Sequence, residues 1–248
     1  MDDQQFEISL VAPCLNEQDN VEILAQRFFV ASDRQQIRTQ IVFVDDGSTD
    51  LTWERIQQAA ENWSGRVVAV RHATNQGIPR AWITGVESCD GRLVCLIDSD
   101  LQNPPESVFE LHKTLVEHNV ELVRGVRQAM KSQPYSRIIM SKALNLVLNV
   151  VFGMHSKDNK SGFVLGTHDA VSRIVRHSGH YRHYQTFIGV SAHSRGVVTH
   201  EVVTPFEDRR HGISFLSGRS FRVIREVFGD IPEAVGEFGS RFRDRRNR

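Results

Sequence analysis

Leu93-Val94-Cys95-Leu96-Ile97-Asp98-Ser99-Asp100 is the stretch on which the fold turns. Five apolar residues run without interruption and stop on two carboxylates one residue apart. An unbroken apolar run bounded by turn signals reads as a strand covered on both faces. Three earlier runs have the same build: Ile8-Ser9-Leu10-Val11-Ala12 before Pro13, Ile41-Val42-Phe43-Val44 before Asp45-Asp46-Gly47-Ser48, and Val67-Val68-Ala69-Val70 before Asn75-Gln76-Gly77. Between them lie helix signals. Val21, Leu24, Phe28 and Phe29 are helix-spaced within residues 16–31, Thr49 or Asp50 can cap a helix through Trp53, Ile56 and Ala60, and a third helix fits residues 79–88. The alternation predicts an α/β fold with a mostly parallel central sheet. In such sheets ligands gather at the carboxyl ends of the strands. Here those ends carry Asn16-Glu17, Asp45-Asp46, Asn75 and Asp98-Ser99-Asp100.

The second half is less regular. A helix over 107–118, a strand over 121–125 and a long amphipathic helix over 137–152 are expected, with short strands at 162–165 and 196–198 and a helix pair over 218–238 broken by Gly229 and Pro232. The expected division is a main domain over 1–216 and a helical appendage with a basic tail over 217–248.

The chain has 248 residues, and 30 Lys and Arg balance 30 Asp and Glu, which gives no reason to expect nucleic acid as a partner. Charge is nonetheless uneven, since the last eleven residues hold five Arg and one Asp. Three cysteines, Cys14, Cys89 and Cys95, match no zinc spacing and no disulfide framework, which favours a reducing compartment. The acidic, polar start is not a signal peptide, and the longest apolar stretch, 143–152, is far short of the roughly 20 residues of a membrane span. The expectation is a cytoplasmic protein working at the inner face of the membrane, where the amphipathic helix and the arginine tail would meet anionic lipid.

Asp98 and Asp100 can turn together into one cavity and hold a hard divalent cation, Mg²⁺ or Mn²⁺, with Gln102 as a further oxygen donor. Such a cation offsets the negative charge that develops on a departing nucleoside diphosphate. A bare Asp-x-Asp is otherwise two solvated acids in a turn. His177, His180 and His183 do not have a usual zinc spacing and read as a solvated helix face.

Taken with Pro13-Cys14-Leu15-Asn16-Glu17 and Asp45-Asp46-Gly47-Ser48-Thr49-Asp50, the run around Asp98 resembles the family 2 inverting glycosyltransferases of GT-A fold, and within them the polyprenyl-phosphate transferases of the dolichol-phosphate mannose synthase type. Arg124-Gly125-Val126-Arg127, Arg137 to Lys142 with Asn145, Asp158 to Phe163, and Arg209-Arg210-His211-Gly212-Ile213-Ser214 resemble further motifs of that type. The resemblance implies a Rossmann-like nucleotide-sugar-binding fold. It implies a donor pocket of Pro13, Leu15, Asn16, Glu17, Val44, Asp46, Gly77, Asp98, Ser99, Arg127, Arg209 and Ser214, with Asp46 on the base or ribose. It implies Asp98, Asp100 and Gln102 around the metal, Arg137 and Ser141 on the acceptor, and Asp158 in an acceptor-side catalytic role. The donor would be a UDP- or GDP-sugar and the acceptor a polyprenyl phosphate.

No acidic pair of the kind that serves as general base stands between 179 and 194. That favours a phosphate acceptor, whose second pKa of about 6 removes the need for a strong base. A soluble alcohol acceptor and a nucleotide-sugar-binding module without turnover are the competing readings. A dinucleotide-dependent dehydrogenase is disfavoured, because no Gly-x-Gly-x-x-Gly follows the first strand.

Overall fold

A computed structural model describes residues 6–127, 135–159, 161–181, 183–207 and 220–239, with the backbone alone at 135–138 and 220–224. Its first half is a strict alternation: β1 (Ile8–Cys14), α1 (Val21–Gln35), β2 (Thr39–Asp45), α2 (Thr52–Asn62), β3 (Val67–Arg71), α3 (Ile78–Glu87) and β4 (Leu93–Leu96). The rest follows as α4 (Val108–His118), β5 (Leu122–Arg127), α5 (Tyr135–Phe152), β6 (Val164–Thr167), α6 (His168–Val175), α7 (Ile188–Ser194), β7 (Thr199–Thr204) and α8 (Ser220–Phe238).

The strands form one seven-stranded sheet in the order β3-β2-β1-β4-β6-β5-β7. Only β6 runs against the others. The mostly parallel sheet expected from the sequence is therefore present. Side chains alternate across it, as the two-residue period of a strand requires. Val11, Val42, Val44, Val94 and Leu96 enter one apolar layer with α3, α5, α6, α7 and α8. Leu10, Ala12, Ile41, Phe43, Leu93 and Cys95 enter the other with α1, α2 and α4. Strands β1, β2 and β4 are buried almost throughout because each has a helix layer on both faces, and only Ser9, Thr39, Gln40 and Asp45 interrupt their apolar runs.

Several expected boundaries move. The first helix starts at Val21, not at residue 16, because Asn16 takes a left-handed conformation (φ 56°) and the chain turns through residues 16–20 first. The strand expected at 162–165 lies at Val164–Thr167, and the one expected at 196–198 lies at Thr199–Thr204. In the latter case Gly196 (φ 71°) closes α7, and Val197 still donates its N–H to the Ala192 carbonyl of that helix.

The expected helix pair at the end is a single helix, α8, with Pro232 inside it. Proline removes one rung of the ladder, and contacts outside the helix hold it in place. Val227, Ala234 and Phe238 are buried in the core. Glu233 and Glu237 accept the N–H groups of Ser178, Gly179 and His180. The same contacts correct the histidine reading. His177 and His183 are not on a helix face, since they lie in the segment held by α8, with His183 against Glu226. The expected appendage therefore shares the core where it is described, and residues 240–248 of the basic tail lie outside the described residues.

Candidate active site

Six strands point their carboxyl ends to one edge of the sheet, and the antiparallel β6 brings its leading residues, 161–163, to the same edge. The topology thus gathers residues 13–17, 45–50, 72–77, 97–102, 127, 158–159 and 161–163.

The loops after β1 and β2 are latched together. The Asn16 N–H donates to Ser48 Oγ at 3.0 Å, and Thr49 N–H donates to Asn16 Oδ1 at 2.9 Å. Glu17 N–H donates to Thr52 Oγ1 at 2.8 Å. Gly47 has to be glycine, for it sits at φ 75° and a Cβ there would lie 2.7 Å from the Asn75 nitrogen. Leu15 and Pro13 are half-buried beside this latch. Cys14 at the end of β1 is no nucleophile, because burial pushes its thiol far above the ordinary range.

Asp46 is buried, and its carboxylate organises the β3–α3 loop. Oδ1 accepts from Gln76 N–H at 2.9 Å and Oδ2 from Gly77 N–H at 2.8 Å, while His72 Nδ1 lies 2.7 Å from Oδ1. His72 Nε2 lies 3.0 Å from Thr84 Oγ1 on α3. A base- or ribose-facing role would therefore share a carboxylate that already holds this loop. Val44 departs from expectation. It has no accessible surface and packs in the core layer under α3, so its side chain cannot line a pocket.

After β4 the chain turns sharply. Ser99 Oγ donates to the Pro13 carbonyl at 2.8 Å and ties this turn to β1. Leu101 is left-handed (φ 61°), a conformation that costs a bulky residue on the order of 1–3 kcal/mol, and its burial at 1% exposure holds the turn. The turn returns Gln102 N–H to Asp100 Oδ1 at 3.1 Å, so Asp100 is buried and oriented while Asp98 is exposed. Gln102 faces the segment after β7: its carbonyl accepts from Glu207 N–H at 2.8 Å, and its Nε2 lies 3.5 Å from the Glu207 carbonyl.

Among the described residues no group of three or more His, Cys, Asp or Glu could hold a metal alone. Asp98 and Asp100 supply two hard oxygen donors at one turn. That suits a cation that keeps water and takes its remaining ligands from substrate phosphates.

On the other side of the edge, Arg127 and Asp158 meet in a two-pronged ion pair, Nε to Oδ2 at 2.8 Å and the second prong at 3.0 Å. The Arg127 guanidinium also lies over the Phe206 ring, 5.4 Å from its centre. Ser141 is half-buried on α5. Arg137 falls in α5, where its side chain is outside the described residues, and Arg209 and Ser214 lie outside them altogether. The sequence reading did not single out Arg124, which is 3% exposed in the sheet, or its partner Glu201 on β7, 3.2 Å away. The available signal was an arginine inside an otherwise apolar strand.

A family model, "Glycosyl transferase family 2", matches residues 9–179, and the chain belongs to that family. It is 34% identical over 221 residues to the undecaprenyl-phosphate 4-deoxy-4-formamido-L-arabinose transferase of Pseudomonas syringae pv. syringae (strain B728a), covering 89% of this chain and 63% of that protein. It is 28% identical over 228 residues to the dodecaprenyl-phosphate galacturonate synthase of Rhizobium johnstonii (strain DSM 114642 / LMG 32736 / 3841), covering 90% of this chain and 66% of that one. The chain thus spans 63% of the length of the first relative. Its fold is that of the glucosyl-3-phosphoglycerate synthase of Mycobacterium tuberculosis, solved with Mn²⁺, UDP and glucosyl-3-phosphoglycerate, with a TM-score of 0.66 at 19% identity over 94% of this chain and 81% of that one. This is the GT-A fold.

Proposed function

We propose that the protein is a metal-dependent inverting glycosyltransferase that moves a sugar from a nucleoside diphosphate, UDP or GDP, to a polyprenyl phosphate. The observation that carries this reading is the meeting, at one sheet edge of a family 2 chain, of the Asp98/Asp100 turn and the Arg127–Asp158 pair. The relatives named as undecaprenyl- and dodecaprenyl-phosphate transferases support the acceptor class.

Asp98 and Asp100 would hold a divalent cation, Mg²⁺ or Mn²⁺, which when bound neutralises charge on the diphosphate. The loops latched by Asn16, Ser48 and Asp46 form the nucleotide side. An oxygen of the acceptor phosphate attacks the anomeric carbon, the bond from that carbon to the diphosphate oxygen breaks, and the nucleoside diphosphate leaves with the electron pair. Arg127 orients phosphate by charge-assisted hydrogen bonds, and Asp158 sets the direction of Arg127. No proton has to be removed from a phosphate dianion. This agrees with Gln185, rather than an acid, standing in the short turn Tyr184–Phe187.

The lipid reading also draws on α5. Ile139, Leu146 and Val150 are 52%, 63% and 74% exposed, and their spacing sets them on one helix face. No described helix is long and apolar enough to cross a membrane. Contact with the bilayer would therefore be peripheral for this part of the chain.

The test is nucleoside-diphosphate release over a panel of UDP- and GDP-sugars with Mg²⁺ or Mn²⁺, with and without a short polyprenyl phosphate. Release that needs one sugar nucleotide, the cation and the lipid phosphate is expected. Release indifferent to the lipid would redirect the search to alcohol acceptors. Nucleotide binding without any release would replace the enzyme with a binding module.

A further inference from the structure

We infer that Asn145 and Asn149 of α5, Arg124 of β5 and Glu201 of β7 are positioning residues that hold the backbone on both sides of Asp158 and so aim it at Arg127. The inference rests on the reading of Asp158 and Arg127 as site residues.

Residues 154–159 connect α5 to the edge of the sheet without helix or strand. Their backbone polar groups need partners from elsewhere. Side chains of three elements supply them. The Ser156 carbonyl accepts from Asn145 Nδ2 at 2.8 Å and from Asn149 Nδ2 at 2.9 Å. Ser156 N–H donates to Asn149 Oδ1 at 3.2 Å, and Asn159 N–H donates to Asn145 Oδ1 at 2.8 Å. The two asparagines lie one helical turn apart and so face the loop together.

From the sheet side, Arg124 donates to the Asp158 carbonyl at 2.9 Å and to Ser156 Oγ at 3.1 Å. Glu201 accepts from Ser156 Oγ at 2.6 Å and from Lys157 N–H at 3.0 Å. Residues 156, 157, 158 and 159 are thus each held by a side chain from another element, on both flanks of Asp158.

The arrangement carries a cost that a passive loop would not need. Arg124 is buried, and a buried charge is expensive unless it is paired and hydrogen-bonded. Room is kept for it by Gly189 on α7, where a Cβ would lie 2.6 Å from the guanidinium. What the clamp fixes is Asp158, whose two carboxylate oxygens meet the Arg127 fork at 2.8 and 3.0 Å. A displacement of about 1 Å at a group that positions substrate lowers a rate by about 100-fold.

The test is a set of double-mutant cycles in transfer to a short polyprenyl phosphate with Mn²⁺. Asn145→Ala and Glu201→Gln are made alone and on Asp158→Asn. Each single variant is expected to lower kcat about 10- to 100-fold, with the donor KM within about twofold. On Asp158→Asn each should add less than about twofold, because residues acting through one group are not additive. Full additive losses, or no loss where Asp158→Asn itself is impaired, would overturn the inference. An active enzyme indifferent to Asp158→Asn would instead remove Asp158 from the machinery, and the inference with it.

A readout free of activity is the Arg127 Nε–H resonance, assigned by its loss in Arg127→Lys. It is expected to be protected from exchange in the native protein and to lose that protection in both variants. Unchanged protection in both would overturn the clamp even if no transfer is ever detected. Should Asn145→Ala fail to fold, Glu201→Gln carries the test, since glutamine keeps the shape of the side chain it replaces.

Discussion

The two halves of the sheet edge hold their polar residues by different means. Beside β1, β2 and β3 the work is done by loops clasping one another: Asn16 with Ser48 and Thr49, and Asp46 with the amides of Gln76 and Gly77. Beside β5 and β7 it is done by side chains that arrive from distant helices and strands: Asn145, Asn149, Arg124 and Glu201 on residues 156–159. The first design writes itself into short motifs, because both partners are loop residues at fixed offsets from a strand end. The second scatters its partners over some eighty residues. Each half buries a charge, Asp46 in the first and Arg124 in the second, but Arg124 meets partners from two distant elements, which makes the second the less forgiving of single changes.

The largest effect should come at the point the two designs serve. Asp100→Ala is expected to lower metal-dependent transfer about 100- to 1,000-fold, the loss typical of removing one transition-state electrostatic partner, with the melting transition kept. Steady-state kinetics and calorimetry check it, and normal turnover would break the assignment of the β4 turn.

Stability should separate the halves next. Arg124→Met breaks the pair with half-buried Glu201 and takes donors from Ser156 Oγ and the Asp158 carbonyl, and should cost about 3–5 kcal/mol in urea titration, and Arg124→Met with Glu201→Met should restore part of that. Asp46→Asn, which keeps one acceptor oxygen for the loop amides, should cost about 1–3 kcal/mol. Equal costs would erase the contrast. Gly47→Ala belongs with Asp46→Asn: the left-handed backbone and the nearby Asn75 nitrogen should make it cost about 1–3 kcal/mol and weaken nucleotide binding more than acceptor use.

The smallest effect is in pH, over the first unit above 9.0, where one thiol changes stability by about 1 kcal/mol. Burial pushes the Cys89 thiol up to about 12 from an ordinary 9.0. Above 9.0 the unfolded chain releases this proton while the folded one keeps it, so the folded state loses ground as pH rises from 9.0 towards 12. Urea midpoints at several alkaline pH values should fall more steeply for the native chain than for Cys89→Ala, and parallel slopes would contradict the burial argument.

Much of the first half could be read from residue order alone. Unbroken apolar runs ending on Asp45-Asp46 and Asp98-Ser99-Asp100 give a parallel sheet and an edge, and the structure has both. Val44 was misplaced because a strand residue next to a motif can face the core as readily as the ligand, and only the neighbouring helix decides. The start of α1 was set by one left-handed asparagine, and β7 by a glycine that closes the preceding helix. Neither is visible in hydrophobic period. Arg127 and Asp158 each stand in a motif of their own, but nothing in sequence spacing shows that they grip each other across 31 residues. Arg124 was hidden for the opposite reason, since a charge within an apolar strand reads as a solvated exception until its partner on β7 is known.

Transfer to a lipid phosphate with inversion is decided by the product itself. The protein is incubated with the sugar nucleotide that supports release, Mn²⁺ and a short polyprenyl phosphate, and the lipid fraction is analysed by mass spectrometry and NMR. The expected product is a glycosyl lipid phosphate whose anomeric configuration is inverted from that of the donor. A product with retained configuration, or free sugar with the lipid phosphate unmodified, would contradict it.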